Sequence, residues 1–273
     1  MRFPLIFVIV FLLLTACGGK KDPSVDQSEN AEAGASSEPL VVTDSLKAIY
    51  KEIYSKRKDW LPAKSIFELG KINPGDEALT DTAFFVFREK LLQAIDNKDA
   101  FYLLDKTAAD IKCSFGAEDG VAGFVQLWQL DSQEGIASSK LWTTLKSVLT
   151  QGGIFRNNGS VFVAPYYYAL FPDEYDAFTH GVILGRGVRM RESPSLQSAV
   201  VKSLSFDVVE IMETTHDFET IGGEEYPWVQ VKLPDGKEGY IWGKFLGSPI
   251  GFRAGFTRQQ NGSWLMDFFV SGD

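Results

Sequence analysis

Residues 228–246 read WVQVKLPDGKEGYIWGKFL, and this stretch decides the architecture of the carboxy-terminal third of the chain. Val229, Val231 and Leu233 alternate with Trp228, Gln230 and Lys232, the period of a strand buried on one face. Asp235-Gly236 then gives a tight hairpin turn. Gly239, Tyr240, Ile241 and Trp242 form the returning strand, which ends at Phe245-Leu246. Working outward, the same grammar begins at Gly181. Val188 and Met190 alternate with Arg189 and Arg191, Ser193-Pro194-Ser195 turns the chain, and Val208 to Met212 is a further strand. Short alternating strands separated by turn residues predict a small antiparallel barrel.

These residues, taken in order, resemble a bacterial SH3-type domain. The family's Val-Arg strand and Ser-Pro turn match Val188, Arg189, Arg191, Ser193 and Pro194. Its tryptophan-led strand, Asp-Gly turn and closing Gly-aromatic-Ile strand match Trp228, Asp235, Gly236, Gly239, Tyr240 and Ile241, with Phe245 and Leu246 as the final pair. The resemblance covers residues 180–247. One departure is the acidic stretch from Glu213 to Glu225, longer than the family's usual connection and read here as a mobile polar loop. The acidic-Tyr signature of polyproline-binding SH3 domains is missing, so that specificity is not implied.

Upstream, residues 43–179 predict a mainly helical α+β domain. Leu46, Ile49, Tyr50, Ile53 and Tyr54 fall at helical spacing, with Lys56, Arg57 and Lys58 complementing the dipole in the last turn. Further helices are expected over 81–95, 100–104, 121–128 and 140–149, the last stopped by Gly152-Gly153. Ile111 to Phe115 (closed by Gly116) and Val161 to Ala164 read as strands. Tyr166, Tyr167 and Tyr168 follow Pro165, and in an extended segment at least one of them projects outward. Beyond the barrel, residues 248–273 predict a hairpin turning at Asn261-Gly262. Helices, a strand and a terminal hairpin bearing Gly262-Ser263-Trp264 resemble the cone of the nuclear transport factor 2 superfamily. That resemblance implies a hairpin paired with the α+β region and a barrel inserted between them. The predicted fold class is therefore α+β, with a carboxy-terminal SH3-like antiparallel β-barrel and a terminal β-hairpin.

At the other end, an apolar run from Phe3 to Leu14 follows Arg2 and ends in Leu14-Thr15-Ala16-Cys17. The run has the length of a signal-peptide core, short for a membrane span. The four closing residues resemble the lipobox of bacterial lipoproteins. The resemblance implies cleavage of residues 1–16, a diacylglycerol on Cys17 and acylation (palmitate) of the new amino terminus. Gly18 in place of aspartate implies the outer membrane. Residues 17–42, rich in Gly, Ser, Ala, Glu and Asp, predict a disordered tether. The whole arrangement is similar to SH3-domain lipoproteins of the Gram-negative cell envelope.

The formal charge of −9 makes the chain a poor partner for nucleic acid, and loss of Arg2 makes it more acidic still. With Cys17 lipidated, Cys113 is the one remaining cysteine, so no intramolecular disulfide is expected. Cys113, His180 and His216 lack the helix-headed thiolate of a cysteine peptidase, and two histidines without helical spacing make no zinc site. Asp173, Glu174 and Asp176 lack the spacing of a calcium loop and read as a solvated face, while Glu213, His216, Asp217 and Glu219 read as part of the mobile polar loop rather than a metal site. No catalytic residue, metal or cofactor is predicted. Tyr226, Trp228, Tyr240 and Trp242 are the candidate ligand-binding residues. If Ile241 is core, Tyr240 and Trp242 emerge together on the other face. The expectation is a non-enzymatic, membrane-anchored envelope protein whose SH3-type domain binds a cell-wall peptide or an envelope protein. The alternatives are a degenerate or unrecognised peptidoglycan hydrolase and a small-ligand carrier using the cone.

Overall fold

The computed structural model describes residues 43–56, 61–115 and 119–272. The signal segment 1–16, Cys17, the 17–42 tether, Arg57, Lys58 and Gly116 lie outside the described residues. Helix α1 (Asp44–Lys56) is followed by a small hairpin of β1 (Phe67–Glu68) and β2 (Lys71–Ile72). Helices α2 (Thr82–Asp96) and α3 (Ala100–Asp105) lead into strand β3 (Thr107–Lys112). Helices α4 (Gly120–Leu127), α5 (Gln133–Ser138) and α6 (Leu141–Thr150) come next, then the hairpin β4 (Ile154–Arg156) and β5 (Val161–Ala164) and the one-turn helix α7 (Tyr166–Ala169). The rest is mostly strand: β6 (His180–Ile183), β7 (Val188–Arg191), β8 (Val200–Leu204), β9 (Val208–Ile221), β10 (Glu224–Lys232), β11 (Glu238–Trp242), β12 (Leu246–Gly247), β13 (Arg253–Arg258) and β14 (Trp264–Val270). The fold class is α+β.

Helix α2 begins where the Asp81 carboxylate accepts the Phe84 N–H at 3.0 Å, an N-cap that fills one orphan donor of the first turn. Asp81 also pairs with Arg258 at the far end of β13, which fastens the helix to the sheet. Phe84, Phe87, Leu91 and Ile95 then recur on one face and are all buried. The Phe84 ring meets Phe155, Phe162, Phe256 and Trp264 at centroid separations of 5.4, 4.2, 5.8 and 4.8 Å. The helix-facing side of the sheet is thus filled with rings in the edge-on and tilted arrangements that aromatic quadrupoles favour.

That sheet has five strands in the order β3-β14-β13-β5-β4, antiparallel except for β14 on β3. The terminal hairpin therefore lies inside the sheet of the α+β region. Gly255 makes its packing possible: a Cβ there would come within 2.0 Å of the ring of Phe268, its cross-strand partner. Between β5 and β13 the chain leaves to build a seven-stranded, curled sheet in the order β12-β6-β9-β10-β11-β7-β8. Its first and last strands pair with each other, Ile183 with Leu246 and Val182 with Gly247, so the excursion starts and ends at one place. Its core is made of inward residues such as Ile183, Met190, Val209, Val231 and Ile241. A third cluster joins the two sheets, with Tyr166 and Tyr167 packed against Ile72, Val182 and Val208.

Several sequence expectations change here. Tyr166, Tyr167 and Tyr168 form a helical turn, and the first two are buried in the seam. Strand β3 lies earlier than 111–115, leaving Phe115 exposed. The acidic stretch from Glu213 to Glu225 is not a loop. It is the distal half of the β9–β10 ribbon, closed by Gly222 and Gly223 at φ 64° and 85°, the left-handed pair that a two-residue hairpin turn requires. Its polar residues hid the strand, because neither face shows the apolar alternation of a half-buried strand.

Candidate functional site

The outer face of the curled sheet carries the site. Ile241 is fully buried, so Tyr240 and Trp242 do emerge on the opposite face of β11. Trp242 faces Trp228 directly across the β10–β11 pair, and Tyr240 lies between Gln230 on one side and Arg191 of β7 on the other. The sheet thus brings the two tryptophans and Tyr240 together, beside Arg191.

The expectation that Tyr240 and Trp242 stand exposed as a pair is overturned for Trp242, which is 5% exposed, and Trp228 is 3% exposed. The distal ribbon covers them. The Trp242 indole N–H reaches the carbonyls of Glu219 and Tyr226, both at 3.2 Å, and the Trp228 indole N–H donates to the Glu219 carboxylate at 2.5 Å. The Tyr226 ring meets Trp242 edge-on at 5.3 Å, while Lys244, paired with Glu224, lies 5.8 Å from the Trp242 ring centre. Buried indoles need such acceptors, and the ribbon supplies them. Of the four candidates, Tyr226 is the most open at 38%, and Tyr240 is half-buried.

Where the ribbon meets β7 and the turn before it, a cleft of about 320 Å³ remains open. Arg186, Arg189, Arg191, Ile221, Trp228 and Trp242 line it, and Leu196 and Phe245 contribute at its edges. Val188 and Met190 point into the core, which places Arg189 and Arg191 together on the outer face. The arginines were absent from the sequence-predicted site. Their alternation was readable in Val188-Arg189-Met190-Arg191, but the register that sets them beside Trp242 was not.

The other groups do different work. Cys113 is buried; burial first, and then the Asp119 charge, push its thiol pKa up, which disfavours the thiolate. Its N–H donates to Asp119 at 3.1 Å, and the Lys112 ammonium holds the Asp119 carboxyl below the usual range. Glu219, once grouped with Glu213, His216 and Asp217, is engaged by Trp228. Among the described residues no three His, Cys, Asp or Glu side chains are grouped to hold a metal ion. Tyr168 lies under the guanidinium of Arg253 at 4.9 Å. Comparison with known proteins finds no family model, no curated protein and no solved structure that matches this chain.

Proposed function

We propose that this protein is a lipid-anchored component of the cell envelope that binds a cell-wall peptide, without catalysis, through the cleft of an SH3-type domain. The observation that carries the reading is the cleft itself. It is a concavity with a tryptophan wall held rigid by hydrogen bonds, at the edge of a sheet whose inner face is a closed apolar core. The curled order β12-β6-β9-β10-β11-β7-β8 and the Val-Arg, Ser-Pro, Asp-Gly and Gly-Tyr-Ile signatures favour the SH3-type assignment. Leu14-Thr15-Ala16-Cys17 favours lipidation at Cys17 and an outer-membrane location. Tyr226 and Tyr240 do not line the cleft; they adjoin its residues Trp242 and Arg191, and only a ligand longer than the cleft would reach them.

The test is co-sedimentation of the full chain, in mild detergent, with purified Gram-negative sacculi. Trp242→Ala would remove a buried wall, whereas Leu196→Trp fills the cleft from an exposed turn. Wild type is expected to pellet and Leu196→Trp to stay in solution. Absence of pelleting by wild type refutes wall binding. Equal pelleting by both places the wall contact elsewhere on the molecule.

A further inference from the structure

The three cleft arginines form no ion pair among the described residues of a chain of formal charge −9. Among the described residues none of them has a carboxylate within ion-pair distance. Arg186 stacks on Phe206 at 4.9 Å, and Glu68, the acid it influences, is held by Lys71 at 3.1 Å. Glu219, the acid beside the tryptophans, is occupied by the Trp228 indole.

Arg191 is the informative one. It is 8% exposed, yet the single side-chain hydrogen bond it makes among the described residues runs from Nη1 to the Ser198 carbonyl at 2.6 Å. A guanidinium carries five donors, so most remain open toward the cleft. Arg88 provides the contrast. It is also buried, at 4% exposed, and there the fold provides Asp76 at 2.7 Å. An arginine buried for structure alone is expected to have such a partner, because an uncompensated charge is costly to desolvate. At Arg191 the fold leaves that partner out, and Arg189 adds a second unpaired guanidinium on the same face of β7.

We propose, resting on the wall-binding reading above, that the cleft recognises a free carboxylate on the wall peptide. Arg191 takes it through the planar fork of its guanidinium, and Arg189 and Arg186 hold the rim positive. The adjoining peptide lies against Trp242, Leu196 and Phe245. Arginine suits the role because its donors match the two carboxylate oxygens in one plane. The global charge works in the opposite direction, since an acidic chain is repelled by an acidic wall. A local cluster of three arginines offsets that repulsion at the cleft; Arg253, also buried without a paired carboxylate among the described residues, is instead stacked on Tyr168 and Phe115.

The experiment uses two surfaces, untreated sacculi and sacculi whose carboxylates have been converted to amides, with the full chain in detergent. Wild type should bind the amidated surface about tenfold or more weakly, the loss of one charge-assisted pair. Arg191→Lys keeps the charge and loses the fork; Arg189→Gln changes an exposed position. Both should weaken binding to untreated sacculi several-fold and match wild type on the amidated surface. If amidation leaves wild-type binding unchanged, carboxylate recognition is refuted while wall binding stands. If the variants are weakened equally on both surfaces, the arginines do not read the carboxylate. If untreated sacculi fail to bind wild type, the wall reading itself falls, and this one with it.

Discussion

The two sheets of this protein handle aromatic side chains in opposite ways. In the five-stranded sheet the rings of Phe84, Phe162, Phe256 and Trp264 meet one another and fill the space beneath the helices. In the curled sheet Trp228 and Trp242 lie on the outer face, away from the apolar core, covered by a mostly polar ribbon that hydrogen-bonds their indoles, with the rings of Tyr226 and Phe245 against Trp242. The first arrangement is a core, stabilised by apolar area and close packing. The second is a wall, rigid on one side and bordered by unpaired arginines on the other. Rings packed among rings hold a fold together, whereas rings packed under polar backbone beside open charge leave room for a ligand.

The comparison breaks most visibly at Phe84. Phe84→Ala should lower global stability by about 3–5 kcal/mol in denaturant unfolding, because its five ring neighbours cannot all collapse into the void. A loss below about 1 kcal/mol would show that the helix-backed core is looser than its packing implies. At the ribbon the effect should be smaller and local. Glu219→Ala removes the acceptor of the Trp228 indole, which should lower stability by about 1.5–3 kcal/mol. Hydrogen exchange should accelerate in β9 and β10 while the amides of α2 stay protected. Equal acceleration in both sheets would mean that they unfold as one unit and that the two differ in geometry alone.

The seam between the sheets can be tested by pH. Burial, opposed by a hydrogen bond with Gln151, pushes the Tyr167 phenol up to about 12 from an ordinary value near 10. Between those values the unfolded chain binds fewer protons than the folded one, so stability falls as pH rises. The contribution is whole below about pH 10 and is lost as pH climbs through about 12. Tyr167→Phe should flatten that limb of urea melts, by on the order of 1 kcal/mol per pH unit. An unchanged slope would show that the seam opens before Tyr167 ionises. The smallest effect belongs to the cleft rim. Arg189→Gln should change stability by less than about 0.5 kcal/mol, since it removes no hydrogen bond or ion pair formed among the described residues. A larger loss would make Arg189 a structural residue after all.

Much of the fold was legible because local rules and tertiary packing agree along most of the chain. Asp81 before an apolar helical face marks α2, and Asp235-Gly236 between alternating strands marks the β10–β11 hairpin. The strand β5 ended by Pro165 and the terminal hairpin around Asn261-Gly262 were readable for the same reason. The failures have a common cause. Residues 213–225 show no apolar period, and their strand pairing is stabilised by the Gly222-Gly223 turn and by bonds to two indoles distant in sequence. The three tyrosines look alike as a string, but the turn of α7 sends Tyr166 and Tyr167 into the seam.

The sequence by itself determined the α+β class, most of the strands and helices, and the opposite facing of Ile241 and its neighbours Tyr240 and Trp242. These follow from periods of 2 and 3.6 residues, turn chemistry and caps, all of which act within a few residues. The pairing of the last hairpin with the first sheet was expected from the sequence; tertiary structure alone decided its place there, between β3 and β5. It also decided that a polar ribbon covers the tryptophans and that Arg191 borders them without a counter-charge. Register between distant strands sets those three outcomes, because residues far apart in the chain become neighbours only through the pairing.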